Sequence, residues 1–421
     1  MAARNREDDV KRTACLKEVF SFLHMSSIPF LVLRSYESLP ENIGGSDVDI
    51  LLQEKDAVLL LSFLKENYTI TAVEQNFGIV NTFIFFSKEE QLQIDVMFSL
   101  SYCGIPYLDV STLLAERVAY RDFYIPAPWH EYFVLLLPHF FYTGEEKEKY
   151  QEKMSSLLIS NPTKIAALHK KIFGHETKRS IARFYWANRD KTLLMSRHYS
   201  LEVYKYIRQP FSRVVAFLGP DGAGKSTVLQ KLEDLDIFFA KSESFTHLKP
   251  QYLLKKRQQS RGVVVDPHAE EARDSWTSSL KMVVYVQEYW IDYFVNPQRR
   301  AHIKIFDRYM HDTIIDPRRY RLSEGGLAQK VLSNFAPQPV VFIVLDADPE
   351  IIQARKSEVP LEATRKQCKR YLDFARQNPT KCAVIDANQS PDDVVHDIVN
   401  VMVERLSQDA KKHLEEILRR W

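Results

Sequence analysis

The sequence predicts a two-domain α/β protein. The C-terminal half reads as a three-layer α/β/α parallel sheet and the N-terminal half as an α+β domain with a helical extension. Three observations lead there. At 421 residues the chain is too long for one ordinary core. Apolar strands at 214–218, 302–306, 340–345 and 382–385 alternate with helical segments, the pattern of a parallel sheet covered on both faces. Residues 12–125 mix helix and strand patterns differently, and 128–206 read as mostly helical. The expected domains are therefore 1–125, 126–207 as helical extension and linker, and 208–421.

Taken in order, 16–25 has helical periodicity and 29–33 reads as a buried strand. A second strand, 48–52, follows the turn signal Asn42-Ile-Gly-Gly-Ser46. Residues 56–67 form a helix through Val58, Leu61, Phe63 and Leu64. Two antiparallel strands, 79–86 and 92–98, are joined by the polar turn Ser87-Lys-Glu-Glu90. The clearest helices of the extension are 129–141 and 162–173, and the pattern changes around Arg208-Gln-Pro210. From there a strand at 214–218 runs into a glycine loop and a helix at 226–232.

Composition narrows the functional classes. A net charge of +2 is not the polycation that marks nucleic-acid binding by charge alone. Cys15, Cys103, Cys368 and Cys382 form neither a CxxC pair nor a disulfide framework, so a reducing compartment is expected. The N-terminus lacks the apolar core of a signal peptide. The most apolar run, 132–141, is too short for a bilayer span, which needs about 20 residues. A soluble, cytoplasmic protein without a membrane span is the expectation.

The loop Gly219-Pro-Asp-Gly-Ala-Gly-Lys-Ser226 matches GxxxxGK[ST] between a strand and a helix. Gly219, Asp221, Gly222, Ala223, Gly224, Lys225, Ser226 and Thr227 are thus the expected ATP-binding residues. Their backbone N–H groups curl around phosphate oxygens, and the helix N-terminus adds its dipole. Lys225 reaches the β- and γ-phosphates and the Ser226 hydroxyl ligates Mg2+. Asp307-Arg308-Tyr309 closes the strand 302–306, where an α/β sheet presents ligands. Asp307 there can hold Mg2+ through water, and Arg308 can clamp an acceptor phosphate.

The loop Gly219–Thr227, with a strand and DRY some way downstream, resembles the thymidylate kinase group of P-loop kinases over about 212–407. The resemblance implies that Asp307 and Arg308 serve metal and acceptor phosphate and that Asp221 contacts the acceptor. It also implies a basic lid at 355–370, with Arg355 and Arg365 the preferred donors among Arg355, Lys356, Arg365, Lys366, Lys369 and Arg370. Ala387 and Asn388 stand where the family packs adenine. The phrases Thr246-His-Leu-Lys-Pro250, Asp266-Pro-His268 and Asp316-Pro-Arg-Arg-Tyr320 differ from housekeeping thymidylate kinases. They leave the acceptor open between a nucleotide, a sugar or sugar phosphate, and something larger. His247, Lys249, Arg318 and Arg319 are candidates for binding an anionic one.

In the N-terminal half, Gly44-Gly-Ser-Asp47-Val-Asp49 places two carboxylates at i and i+2, on one face of a strand. Such acids repel unless a divalent cation sits between them. With Asp95 on a later strand they could hold two Mg2+ ions for attack on a nucleotide α-phosphate. This pattern is similar to the nucleotidyltransferase superfamily over about 12–150, although Arg34-Ser35-Tyr36 replaces its Gly-Ser turn. The first expectation is therefore a P-loop kinase, with ATP and Mg2+, fused to a nucleotidyltransferase-like domain. Two others are a nucleoside monophosphate kinase with a non-catalytic N-terminal domain, and an ATP-binding switch or adaptor. The expected partners are ATP and a small acceptor, with a homodimer compatible. DRY and the basic lid favour catalysis, because a switch needs no acceptor clamp.

Overall fold

The computed structural model describes residues 6–43, 47–87, 90–191, 193–200, 213–235, 245–247, 275–295, 303–320, 322, 327–355 and 360–421. The turn 44–46, Lys249, Asp266-Pro-His268, Lys356 and the His247 side chain lie outside the described set. The chain divides into two compact units, one of Met1–Gln209 with Ala410–Trp421 and one of Pro210–Asp409.

The first unit is built on a sheet of β1 (Phe30–Val32), β2 (Val48–Leu52), β3 (Ile70–Asn76), β4 (Ile79–Phe85) and β5 (Gln91–Met97). Its order is β1-β2-β5-β4-β3. All pairs are antiparallel except β2 and β5, which run parallel with Asp49 opposite Asp95. The strand β3 is an addition to the sequence reading. Ile70, Thr71 and Val73 carry its β-branched signal, and Gly78 in the following turn has a φ of 75°. The helix Arg6–Met25 buries Leu16, Val19, Phe20 and Leu23 against this sheet. Two small hairpins follow, β6 (Leu100–Tyr102) with β7 (Ile105–Leu108), and β8 (Val118–Tyr120) with β9 (Phe123–Ile125).

The sequence reading carried the last domain from 208 to 421. Residues Ala410–Trp421 group with the first unit instead, because Ala410, Leu414 and Ile417 are buried in its core at helical spacing. The helical extension shares a second core with Leu31 and Leu51 of the sheet and Leu100 and Ile105 of the first hairpin. Helix Pro128–Thr143 is apolar on most sides, starts on a proline and stops at left-handed Gly144. It packs through Phe140 and Phe141 on Phe173 and Phe184 of the helices Pro162–Phe173 and Ile181–Ala187. Among the described residues no helix is long and apolar enough to cross a membrane.

In the second unit five strands run parallel: β10 (Arg213–Leu218), β11 (Phe245–His247), β12 (Ile303–Asp307), β13 (Val341–Asp346) and β14 (Cys382–Asp386). The order β11-β12-β10-β13-β14 puts β10 in the middle, buried along its whole length. That is why its sequence is a continuous apolar run rather than an alternating one. The order also sets the C-terminal ends of β10 and β12 side by side, with Phe217 opposite Asp307. Loops from these two ends carry the site.

His311 follows β12 and packs edge-on against Phe342, with ring centroids 4.7 Å apart. Burial pushes its pKa down to about 4, so it is neutral in the folded protein at neutral pH. The unfolded chain binds this proton more readily, so stability is lost as pH falls from the free-histidine value toward about 4. His311→Phe is expected to remove about 3 kcal/mol of that acid-side loss, read from urea unfolding between about pH 4 and 7.

Candidate active site

The apolar strand β10 delivers the chain into the glycine loop at its C-terminal end. Gly219 has a φ of 146°, and a Cβ there would stand 3.1 Å from the Leu345 carbonyl oxygen. Gly224 (φ 94°) is the N-cap of helix Lys225–Asp234, whose first N–H groups are therefore available to an anion. A Cβ at Gly224 would lie 3.9 Å from the Arg355 guanidinium, so the loop and the first predicted lid arginine are neighbours. Lys225 is buried, and its Nζ donates to the carbonyls of Gly219 and Pro220 at 2.7 Å each. Burial, with Arg308 as a nearby cation, pushes its pKa down to about 7.

Beside the loop lies a network of buried charge. Arg308 takes the left-handed φ of 73° and its N–H bonds the Phe217 carbonyl at 2.9 Å. Its guanidinium donates to Asp312 at 2.7 Å, to the Tyr371 hydroxyl oxygen at 3.2 Å and to Asp221 at 2.5 Å. The other oxygen of Asp221 accepts from Arg319. Burial alone would raise the Asp221 carboxyl, but Arg308 and Arg319 outweigh it and hold it well below the usual carboxylate range.

These groups meet at one cavity of about 560 Å³, in the size range of small-ligand pockets. Glycine-loop residues from Asp221 to Val228 form one wall, and Asp307, Arg308, Arg319 and Arg355 line it too. Among the expected residues, Arg365 stands apart. It is exposed and paired with Glu350 at 2.7 Å and Glu362 at 3.1 Å. Lys366, Lys369 and Arg370 are likewise exposed. Asn388 does not line the cavity. Its side chain bonds Asp386 at 2.8 Å and the Asp348 N–H at 2.9 Å, while Ala387, Gln389, Pro391 and Val394 form that wall. Of the two neighbouring arginines, Arg318 is exposed and Arg319 faces the cavity.

Sequence reasoning missed Asp312 and Tyr371. Asp312 follows DRY by one turn, a spacing that brings i and i+4 together on a helix. No local signal ties Tyr371 to it across 59 residues.

In the first unit Asp47, Asp49 and Asp95 come together, with one carboxylate oxygen from each lying within 4.8 Å of the others. Asp47 precedes β2 by one residue rather than lying within it, and Asp49 is buried. Arg34 has joined the cluster: it pairs with Asp49 and lies 3.7 Å from Asp47. Burial pushes the Asp95 carboxyl up to about 7, against the lowering effect of hydrogen bonds from Asn81 and Gln93. Oxygen donors of this type suit a hard divalent cation, and two of the three, Asp47 and Asp49, face an intrinsic guanidinium.

A parallel sheet, a glycine loop capping a helix, and an arginine-lined cavity make the second unit a P-loop kinase fold with a matching site. No protein-family model matches the chain. The chain is 30% identical over 200 residues to the probable thymidylate kinase of Pyrobaculum aerophilum, covering 45% of this chain and 95% of that protein. It is 27% identical over 207 residues to the thymidylate kinase of Symbiobacterium thermophilum, covering 46% of this chain and 93% of that one. The solved thymidylate kinase of Ehrlichia chaffeensis aligns over 45% of this chain and 98% of its own, at 18% identity and a TM-score of 0.34. Through somewhat less than half of its length, the chain belongs to the thymidylate kinase family.

Lys225 supplies a measurable consequence. An amine whose pKa is lowered on folding costs stability most fully below about pH 7, and the cost fades as pH rises toward the free-lysine range. Lys225→Met is therefore expected to stabilise the ligand-free protein by about 1–3 kcal/mol near neutral pH, with the gain vanishing toward about pH 10. Calorimetry in buffers of different ionisation heats should also show ATP binding at about pH 8 taking up a proton, and the variant taking up none.

Proposed function

We propose that the second unit transfers the γ-phosphate of ATP to an acceptor that already carries a phosphate, a nucleoside monophosphate or a sugar phosphate. One observation carries this reading. Lys225 and the two arginines Arg308 and Arg319 open on the same cavity, and both arginines converge on a single carboxylate, Asp221. Two guanidiniums gathered round one anion form a ready receptor for a phosphate dianion. A neutral hydroxyl acceptor needs no such pair.

In this reading the glycine loop and helix N-terminus hold the ATP phosphates. Lys225 leaves its two carbonyl partners to meet the β- and γ-phosphates, and Arg355 faces the same phosphates across Gly224. Ser226 and Asp307 are hard oxygen donors lining the cavity, which fits Mg2+. They are the residues that would hold it, and when bound it neutralises charge on the transferring phosphoryl group. Arg308 and Arg319 orient the acceptor phosphate, and binding in one cavity brings donor and acceptor together.

A second reading concerns the first unit. The meeting of Asp47, Asp49 and Asp95 supports a divalent-cation site and nucleotidyl transfer there, with Arg34 as its resident counter-ion. The two activities would be separable, since their residues lie in different units.

Labelled ATP with Mg2+ and a panel of nucleoside monophosphates, sugar phosphates and free sugars tests the first reading. Transfer is expected only to phosphate-bearing acceptors and is lost in Lys225→Ala. Arg319→Gln should raise the acceptor KM by roughly 10- to 100-fold with the ATP KM nearly unchanged, whereas Arg318→Gln changes neither. Transfer to free sugars alone would overturn the reading. Asp47→Asn should leave phosphoryl transfer intact while abolishing any Mg2+-dependent release of pyrophosphate.

A further inference from the structure

We propose that Asp312, held by Tyr320 and Tyr371, is a positioning residue that fixes the guanidinium of Arg308 for the acceptor phosphate. Its effect on turnover rests on the phosphotransferase reading above, and its geometry stands apart from it.

Asp312 is fully buried, and it is not among the residues lining the cavity, so it acts only through a neighbour. One of its oxygens accepts from the Tyr371 hydroxyl at 2.6 Å. The other accepts from Arg308 at 2.7 Å and from the Tyr320 hydroxyl at 2.6 Å. The donors come from three segments: the end of β12, the one-turn helix Pro317–Tyr320 and the helix Leu361–Gln377. Burial would raise the Asp312 carboxyl, but Arg308 and the two hydroxyls hold it below its ordinary range, so it remains an anion.

A buried ion pair is a poor device for stability alone, because apolar side chains of similar volume serve as well or better. What it supplies is orientation. Arg308 Nη1 faces Asp312 and Tyr371, away from the cavity, while Nη2 faces Asp221 on the cavity wall. One edge of the planar fork is therefore anchored in the core and the other is presented to the site. Its backbone is tied in turn to β10 through the Phe217 carbonyl. The acceptor arginine is thus referenced to the same strand that ends in the glycine loop. A ligand can take Nη2 from Asp221 without disturbing the hold on Nη1.

The test uses the full-length protein with ATP, Mg2+ and thymidine 5′-monophosphate, and other nucleoside monophosphates if that one is not used. Asp312→Asn keeps the shape and removes the charge. It is expected to raise the acceptor KM about 10-fold or more with the ATP KM within about twofold. In an Arg308→Ala background the same change should add nothing, since its route is gone. A purely structural role would instead lower kcat with an unchanged acceptor KM and would multiply with Arg308→Ala, and either result overturns the proposal. Arginine side-chain NMR gives a readout independent of turnover. In the wild type, slow rotation about the Arg308 Nε–Cζ bond should resolve its Nη signals, and Asp312→Asn should merge them. Unchanged signals would overturn the anchor even where the kinase assay succeeds. Absence of transfer to any monophosphate would sink the phosphotransferase reading and leave the NMR result to decide the anchor. If Asp312→Asn does not fold, Tyr320→Phe removes one donor to Asp312 without touching a hydrogen bond of Arg308 and carries the same tests with an effect of about threefold.

Discussion

The second unit depends on how it buries the Arg308 guanidinium, which is only 2% exposed. A lone guanidinium so placed would be costly by several kcal/mol, and the surrounding chemistry follows from removing that cost. Two carboxylates, Asp221 and Asp312, neutralise it from opposite sides, and the Tyr371 hydroxyl accepts a third bond. Asp312 in turn needs more donors than one arginine supplies, and Tyr320 and Tyr371 provide them. Each buried charge thereby specifies its neighbours. The left-handed backbone at Arg308 belongs to the same constraint, because it turns the side chain inward directly after β12 ends.

The arrangement also explains why the groups lining the cavity come from segments distant in sequence. Parallel pairing of β10 with both β12 and β13 gathers their C-terminal ends, so the glycine loop, Asp307 and the segment leading to Arg355 all start from one edge of the sheet. The close approach of Gly219 to Leu345 shows how tightly the loop is seated between those strand ends. Positions on rigid strand ends fix geometry better than positions on free loops.

Much of this was legible in the sequence. The phosphate loop, the strand before it and the DRY triplet are local patterns, and the structure brings them together at one cavity. The alternation of apolar strands with helices gave away the parallel sheet, because strands buried on both faces must be apolar throughout. What sequence could not show were partnerships. Arg365 and Arg355 look alike as basic residues in one stretch, yet Arg365 is occupied by Glu350 and Glu362 at the surface while Arg355 reaches the cavity. Asn388 sits one residue from two cavity-lining side chains and turns back to cap its own strand end. Arg318 and Arg319 differ only in which side of a single helical turn they occupy. The strand β3 was missed for another reason: its signal is present but short, and it adjoins a helix whose periodicity dominates the window.

The pairing of the cations around the cavity has a physical logic. Arg355 is exposed, while the other three cations lining the cavity are paired within the chain. Lys225 is turned onto two backbone carbonyls, and Arg308 and Arg319 share Asp221. Each of these three cations thus holds a partner that any anion binding there would have to displace. Backbone carbonyls are neutral acceptors, weaker for an ammonium than a polyphosphate is, so an exchange at Lys225 would favour a polyphosphate. Asp221 is a full anion, so displacing it from two arginines demands an acceptor group of comparable or greater charge. A dianionic phosphate meets that requirement and a neutral hydroxyl does not. These pairings make charge, more than shape, the first condition for any group that would replace Asp221 between the two arginines.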